Sequence, residues 1–173
     1  MNVSIRPVQS PDDIHIVAVL AHEIWTQHFT PIIGAPQVAY MLKKFQSEEV
    51  IRAQLSDGCR YFLAEAEERA VGYTGIIPDY PHKKMMISKL YVRDEMRGKG
   101  AGAALIKYVE QECTANGLTR LWLTVNRFNE SAIGWYRRHG FSVINEVKKD
   151  IGCGFFMDDY IMEKNILSHP PPG

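Results

Sequence analysis

The sequence predicts a single α/β domain, a mixed central sheet of about seven strands flanked by helices. Three observations lead there. Apolar residues alternate with polar ones in some segments and recur at helical spacing in others. An early pair of strands is joined by a short charged turn, which makes it antiparallel, whereas a later strand, helix and strand follow one another as a crossover would, so one sheet holds both kinds of pairing. The chain has 173 residues, the size of one domain, with no internal repeat and no linker that would divide it.

Taken in order, Val3, Ile5 and the run into Val8 read as a first strand, with Pro7 marking its edge or end. Ser10-Pro11-Asp12-Asp13 supplies a cap, a proline at the first helical position and acid in the first turn, and Ile14, Val17, Ala21, Ile24 and His28 continue a helix over about 11–29. The stretch from Thr30 to Pro36 is expected to break it. Residues 37–55 are again helical in pattern and divide naturally into two short helices, and the aromatics of these early helices look exposed. Tyr61 to Ala66 and Ala70 to Ile77 read as a hairpin across Glu67-Glu68-Arg69. A loop with Pro78, Asp79, Tyr80 and Pro81 leads to a strand from Met85 to Val92 and then to the glycine-rich Arg97 to Gly102. Helix is expected from Ala103 to Glu112, ended by Asn116-Gly117. A strand from Arg120 to Val125 places Leu121, Leu123 and Val125 on one face. A helix from the cap Asn129 to His139, stopped by Gly140, precedes strands at about 141–148 and 155–163. The domain is expected over 1–167, with 168–173 a disordered tail.

Composition narrows the function. Apolar residues at 46% and charged residues at 23% are those of a globular chain with a core. Twenty Lys plus Arg against twenty Asp plus Glu leave no global field to draw the protein to nucleic acid or an acidic membrane. No apolar run approaches the roughly 20 residues of a membrane helix, and the N-terminus does not read as a signal peptide. Cys59, Cys113 and Cys153 are odd in number and widely spaced, which signals neither a disulfide framework nor a zinc site and suits a reducing cytoplasm. The six histidines show no ligand spacing, so no metal is expected.

The segment with chemistry in it is Arg97-Gly98-Lys99-Gly100-Ala101-Gly102, between a strand and a helix start. Unbonded backbone N–H groups and the positive end of the helix dipole converge there. Glycines at 98, 100 and 102 let backbone approach a ligand, and Arg97 and Lys99 add charge, as a diphosphate requires. A solvated turning loop is the bland alternative. Walker A fails because Lys99 is followed by Gly100 rather than Ser or Thr. A Rossmann match from Gly98 to Ala103 lacks the acidic residue about 20 positions on.

What remains is R-x-x-G-x-G, which resembles the acyl-CoA pyrophosphate loop of the GCN5-related N-acetyltransferase (GNAT) superfamily. A second segment agrees: Asn129 to Phe141 is similar to that family's later motif, N-x-x-A-x-x-x-Y-x-x-x-G-F. With the strand from Ile87 to Val92 the resemblance covers about 71–141. More weakly, Glu23-Ile24-Trp25, His28-Phe29 and the C-terminal run from Gly152 to Lys164 are similar to bacterial spermidine/spermine-type N-acetyltransferases.

The resemblance implies a cleft between splayed parallel strands that holds acetyl-CoA as co-substrate, with no metal. Leu90, Tyr91 and Val92 would offer backbone to its pantetheine arm, and an N–H near Leu90 would act as an oxyanion donor. Arg97, Gly98, Lys99, Gly100, Ala101 and Gly102 would hold the diphosphate, with Asn129 as a helix cap and an added cofactor contact. Tyr136 would protonate the departing thiolate, a role that suits a phenol with its pKa near 10. From spacing alone, beside Ala132, Ile133 and Trp135, Tyr136 reads more readily as core, and the motif match reverses that order. Trp25, Phe29 and Tyr80 would line the amine pocket, with packing as the alternative for the first two. Glu23, Asp79 and Asp94 are acids of the right type for a general base, and each reads more simply as a solvated acid or cap. The implied reaction is acetyl transfer to a primary amine, of a small molecule such as a polyamine or of a peptide, by direct attack in a ternary complex. The rival is a non-catalytic acyl-CoA sensor. A homodimer through the late strands is expected at the level of the family.

Overall fold

The computed structural model describes residues 2–166, so the expected tail lies outside the described residues. Seven strands form one mixed sheet, flanked by helices, in the order β1-β2-β3-β4-β5-β7-β6. The residues cluster into two compact units. One holds the chain up to Ile77 with Ser88–Val109, and the other holds Pro78–Ile87 with the chain from Glu110 onward.

In the first unit, β1 (Ser4–Pro7) is an edge strand antiparallel to β2 (Arg60–Ala66), so Pro7 ends a strand where its missing N–H costs no inner ladder bond. Between them run α1 (Pro11–Ile33), α2 (Ala35–Phe45) and α3 (Glu48–Ser56). Helix α1 starts on a capping box: Ser10 Oγ accepts from the Asp13 N–H at 3.1 Å, and the Asp13 carboxylate accepts from the Ser10 N–H at 3.2 Å. It does not stop at Thr30, as the sequence suggested, but carries Pro31 inside it and ends at Gly34. A proline removes a single helical bond, and Thr30 Oγ1 reinforces the turn by donating to the Thr26 carbonyl. The terminator is Gly34, whose φ of 86° L-residues avoid. Two short helices then follow, as the pattern of 37–55 indicated, with Ser47 capping α3 by accepting from the Val50 N–H.

Strand β3 (Arg69–Asp79) returns antiparallel to β2 through Glu67 and Glu68, both with positive φ (53° and 61°) as a primed hairpin turn requires. Leu63, Tyr61 and Tyr73 on one face pack with Val17, Leu20, Ala21 and Ile51 of α1 and α3. On the other face Ala64, Ala66 and Val71 pack with Ala101 and Leu105 of α4 (Ala101–Ala115).

In the second unit, β5 (Arg120–Asn126) pairs antiparallel with β7 (Phe155–Asn165), and β6 (Ser142–Gly152) pairs antiparallel with β7 on its other side. Leu121, Leu123 and Val125 are buried together as expected, and Leu123 lies opposite the fully buried Met162. The late strands are longer than the sequence suggested. The reversal takes only Cys153 and Gly154, both at positive φ (54° and 79°), so pairing extends nearly to the turn. Helix α5 (Glu130–Arg138) precedes β6. The start of β4 (Lys84–Val92) runs parallel to β5 for three pairs, ending at Met86 opposite Trp122. Among the described residues no helix is long and apolar enough to cross a membrane.

Candidate active site

Two segments carry the expected chemistry, one in each unit. In the first unit β4 delivers the chain into a single 3-10 turn, Asp94–Met96, then into the glycine-rich loop and α4. The loop is drawn in by the Arg97 N–H, which donates to the Asp94 carbonyl at 3.2 Å, and by the Lys99 N–H, which donates to the Met96 carbonyl at 3.3 Å. Gly98 and Gly100 take φ of 73° and 91°, and a Cβ on either would meet open space. Their lack of a side chain therefore serves conformation and an open approach, not internal packing. The fully buried Ala101 and Leu105 pin the start of α4 against β2 and β3.

These residues fit a diphosphate. The first bonded N–H of the helix is that of Ala104, donating to the Gly100 carbonyl at 2.9 Å, so the N–H groups of Ala101, Gly102 and Ala103 have no intrahelical acceptor. Helices α1 and α3 carry acids in their first turns, whereas α4 has none, so its positive end is left uncompensated. The Arg97 guanidinium is engaged by His28 Nδ1 at 3.1 Å and by Asp94 at 3.3 Å. Lys99 is exposed and forms no ion pair among the described residues.

The end of β4 packs on both faces. Leu90 and Val92 join the cluster of Ala101 and Leu105, while Tyr91 meets Trp25, Phe29 and Tyr73 at centroid distances of 5.5, 6.2 and 5.6 Å. What these residues have left for a ligand is backbone. Trp25 and Phe29 are only 5% and 6% exposed, which corrects the expectation of exposed aromatics on the early helices and favours packing for both. Gly72 shows how closely backbone approaches here: a Cβ on it would lie 2.7 Å from the Tyr91 carbonyl oxygen.

In the second unit Asn129 caps α5, its Oδ1 accepting from the Ala132 N–H at 3.4 Å and from Ser131 Oγ at 3.3 Å. Two turns on, the buried Tyr136 packs its ring against Trp135 and Phe141 at 5.1 and 5.5 Å. Burial pushes its phenol well above the ordinary pKa, so it stays protonated. Its hydroxyl makes no hydrogen bond among the described residues. Tyr80 is 57% exposed, its hydroxyl 3.4 Å from Asn116 Oδ1.

Residues 20–141 match the acetyltransferase (GNAT) family. The chain belongs to that family. It is an acetyl-CoA-dependent acetyltransferase domain, with acetyl-CoA as co-substrate. An uncharacterized N-acetyltransferase of Mycobacterium tuberculosis is 27% identical over 156 residues, covering 90% of this chain and 99% of that one. Human N-acetyltransferase 8B is 33% identical over 113 residues, 62% of this chain and 47% of that protein, so the chain spans about half the length of this relative. Among solved structures, the PaiA N-acetyltransferase of Thermoplasma acidophilum in complex with coenzyme A shares the fold with a TM-score of 0.79 at 23% identity, over 95% of this chain and 99% of that one. A chimera of Vibrio cholerae spermidine N-acetyltransferase SpeG and hSSAT does so with a TM-score of 0.72 at 20% identity, over 95% and 96%.

The three acids named from sequence are each engaged in this GNAT domain. Glu23 pairs with Arg93, Asp94 with Arg97, and Asp79 with His82 at 3.0 Å, a contact that lowers the Asp79 pKa. Two buried ionisable residues escaped the sequence reading, Lys89 on β4 and Asp159 on β7, each 5% exposed. Alternation marks both as strand residues, and no residue-level signal separates a buried charge from a solvated one at such a position. Among the described residues no group of three or more His, Cys, Asp or Glu is placed to hold a metal ion.

Proposed function

We propose that this GNAT domain acetylates a primary amine, of a small molecule such as a polyamine or of a peptide, by direct attack in a ternary complex. The observation that carries this is the loop before α4: two open glycines at positive φ, three helix N–H groups without intrahelical acceptors, a free Lys99 and no acid in the first turn. Acetyl-CoA supplies the thioester whose acetyl group moves. The N–H groups of Ala101, Gly102 and Ala103 bind the diphosphate, and Lys99 and Arg97 add charge beside it. Backbone of Leu90, Tyr91 and Val92 orients the pantetheine arm, and an N–H near Leu90 stabilises negative charge on the carbonyl oxygen, worth roughly 3 kcal/mol. Tyr136 holds a proton at Oη for the departing sulfur. Asn129 caps the helix that carries it, and Tyr80 is a surface aromatic for the acceptor. The reduced thiols of Cys59, Cys113 and Cys153 suit the cytoplasm, and a homodimer forms through the late strands.

The test is thiol release from acetyl-CoA with spermidine, amino acids and peptides with free N-termini. Spermidine belongs in the panel because a spermidine N-acetyltransferase shares the fold. Turnover with at least one amine is expected. Tight acetyl-CoA binding with no turnover for any of them would return the protein to the sensor reading.

A further inference from the structure

Strands β5 and β7 present Trp122, Thr124 and Asn126 with Glu163, Ile161 and Asp159 on the face opposite Leu121, Leu123 and Val125. Asp159 stands opposite Asn126 on one side and Val147 of β6 on the other. It is 5% exposed, yet no cation among the described residues pairs with it. Most cations on or beside the neighbouring strands are engaged elsewhere, and Lys149 of β6 forms no ion pair among the described residues. Arg127 pairs with Asp158 at 2.7 Å and with Glu146 at 3.3 Å, Arg120 lies 3.8 Å from Glu163, and Lys164 pairs with Glu110. Lys84 and Lys148 lie over the rings of Trp122 and Phe156. The ionisable groups on its own face are Glu163 on β7, Lys149 on β6, which stands opposite Met157, and Arg120 at the far end of β5, engaged by Glu163, while the β5 residues nearest Asp159 are the neutral Thr124 and Asn126.

A carboxylate withdrawn this far from water is ordinarily paired with a cation, because a hydroxyl alone does not replace its hydration. Here the Thr124 hydroxyl is the single group that favours the charged form, while burial and the neighbouring Asp158 hold the pKa up at about 6. The carboxyl is thus ionised at neutral pH and more basic than an ordinary one. The missing partner has the chemistry of the acceptor itself, a primary amine that arrives as an ammonium ion and must lose a proton before it can attack.

We propose that Asp159 is the seat of the acceptor's ammonium group and the base that takes its first proton. An N–H bond of the ammonium breaks, its electron pair stays on nitrogen as the lone pair, and the proton goes to a carboxylate oxygen of Asp159 and from there to water. The assignment rests on the reading of the substrate as a primary amine and sharpens it to a protonated alkylamine met by a single buried carboxylate.

The test uses the full chain saturated with coenzyme A and titrated calorimetrically with spermidine, lysine and a tripeptide bearing a free N-terminus. Asp159→Asn should weaken binding of the best amine at least tenfold at pH 7.5 and leave coenzyme A affinity unchanged. Wild-type affinity for that amine should fall about fourfold from pH 7.5 to 5.5, as a carboxylate titrating near 6 becomes protonated, and the variant should lose this dependence. Asp159→Glu, which keeps the charge, should restore part of the affinity, and equal melting curves exclude misfolding. Equal amine affinity in wild type and Asp159→Asn, or no amine binding to the wild type, overturns the assignment. Thiol release in the same samples separates the two readings. Turnover untouched by Asp159→Asn removes Asp159 and leaves the acetyltransferase, whereas Asp159-dependent amine binding without any turnover keeps Asp159 and removes the proposed activity.

Discussion

Lys89 Nζ donates to the main-chain carbonyl of Phe45 at 2.6 Å, joining β4 to the last residue of α2. Its other protons go to Gln54 Oε1 at 3.1 Å and to the hydroxyl of Tyr61, so one buried ammonium draws α2, α3 and β2 onto β4 without a carboxylate. Burial lowers its pKa to about 8. Lys89→Met removes the charge and takes the ammonium donor from the Phe45 carbonyl, while the Tyr61 hydroxyl still donates to Gln54 Oε1, and should cost about 2–3 kcal/mol. The folded pKa lies below the unfolded value of 10.5, so between pH 8 and 10.5 the unfolded chain holds more protons and stability rises with pH. Urea unfolding at pH 7.5 and 9.5 should show that rise in the wild type, and the part due to Lys89 should be missing from the variant.

Asp13 is the opposite case. Burial alone would raise its pKa, but the Gln9 N–H, Arg6 and the Ser10 N–H together bring it to about 2. The folded value is below the unfolded 3.8, so the stability it contributes is present above about pH 4 and is lost as the pH falls through 2. Asp13→Asn should destabilise the fold by about 1–2 kcal/mol at pH 7. That difference should shrink as the pH falls through 2 and vanish below it, and melting curves across the acid range measure it.

These two residues show what the sequence could carry. Asp13 was legible because Ser10-Pro11-Asp12-Asp13 is a local pattern: cap, proline and acid lie within one turn, and the physics that joins them is local. The hairpin at Glu67-Glu68 and the loop at Gly98 and Gly100 were legible for the same reason, since backbone conformation at a turn is decided by a few neighbours. Lys89 was not, because its partners Phe45, Gln54 and Tyr61 lie 28 to 44 residues away and come together only in the folded chain. The same holds for Trp25 and Phe29, whose burial depends on Tyr91. Pro31 misled because a proline signals a break, whereas a 23-residue helix with a buried face can lose one bond and continue.

Gly100 and Gly72 should separate ligand binding from folding. At Gly100 a side chain meets open space at φ 91°, so Gly100→Val introduces about 1–2 kcal/mol of backbone strain and places a branched group where a diphosphate would approach. Calorimetry should show coenzyme A affinity at least tenfold weaker in a protein that still folds. At Gly72 an added Cβ would collide with the Tyr91 carbonyl, so Gly72→Ala should lower the melting temperature by several degrees. Unaltered coenzyme A affinity in Gly100→Val would remove the loop from the binding site.

Tyr136 offers the sharpest separation of structure from chemistry. Its ring is held by Trp135 and Phe141, and its hydroxyl has no hydrogen-bond partner among the described residues, so Tyr136→Phe keeps the packing and deletes only the hydroxyl and its proton. Stability and coenzyme A affinity should therefore be unchanged. If the phenol protonates the leaving sulfur, kcat should fall about 10²-fold once chemistry is shown to limit turnover. The pH dependence gives an independent reading. An acid works while it keeps its proton, and burial raises this phenol well above its usual range, so deprotonation of Tyr136 should add no alkaline decline in kcat up to about pH 9.5. A phenol exposed to water, with a pKa near 10, would already show the onset of that decline. A kcat in Tyr136→Phe equal to the wild type, with the chemical step limiting, would return this side chain to the core and leave the proton to come from water.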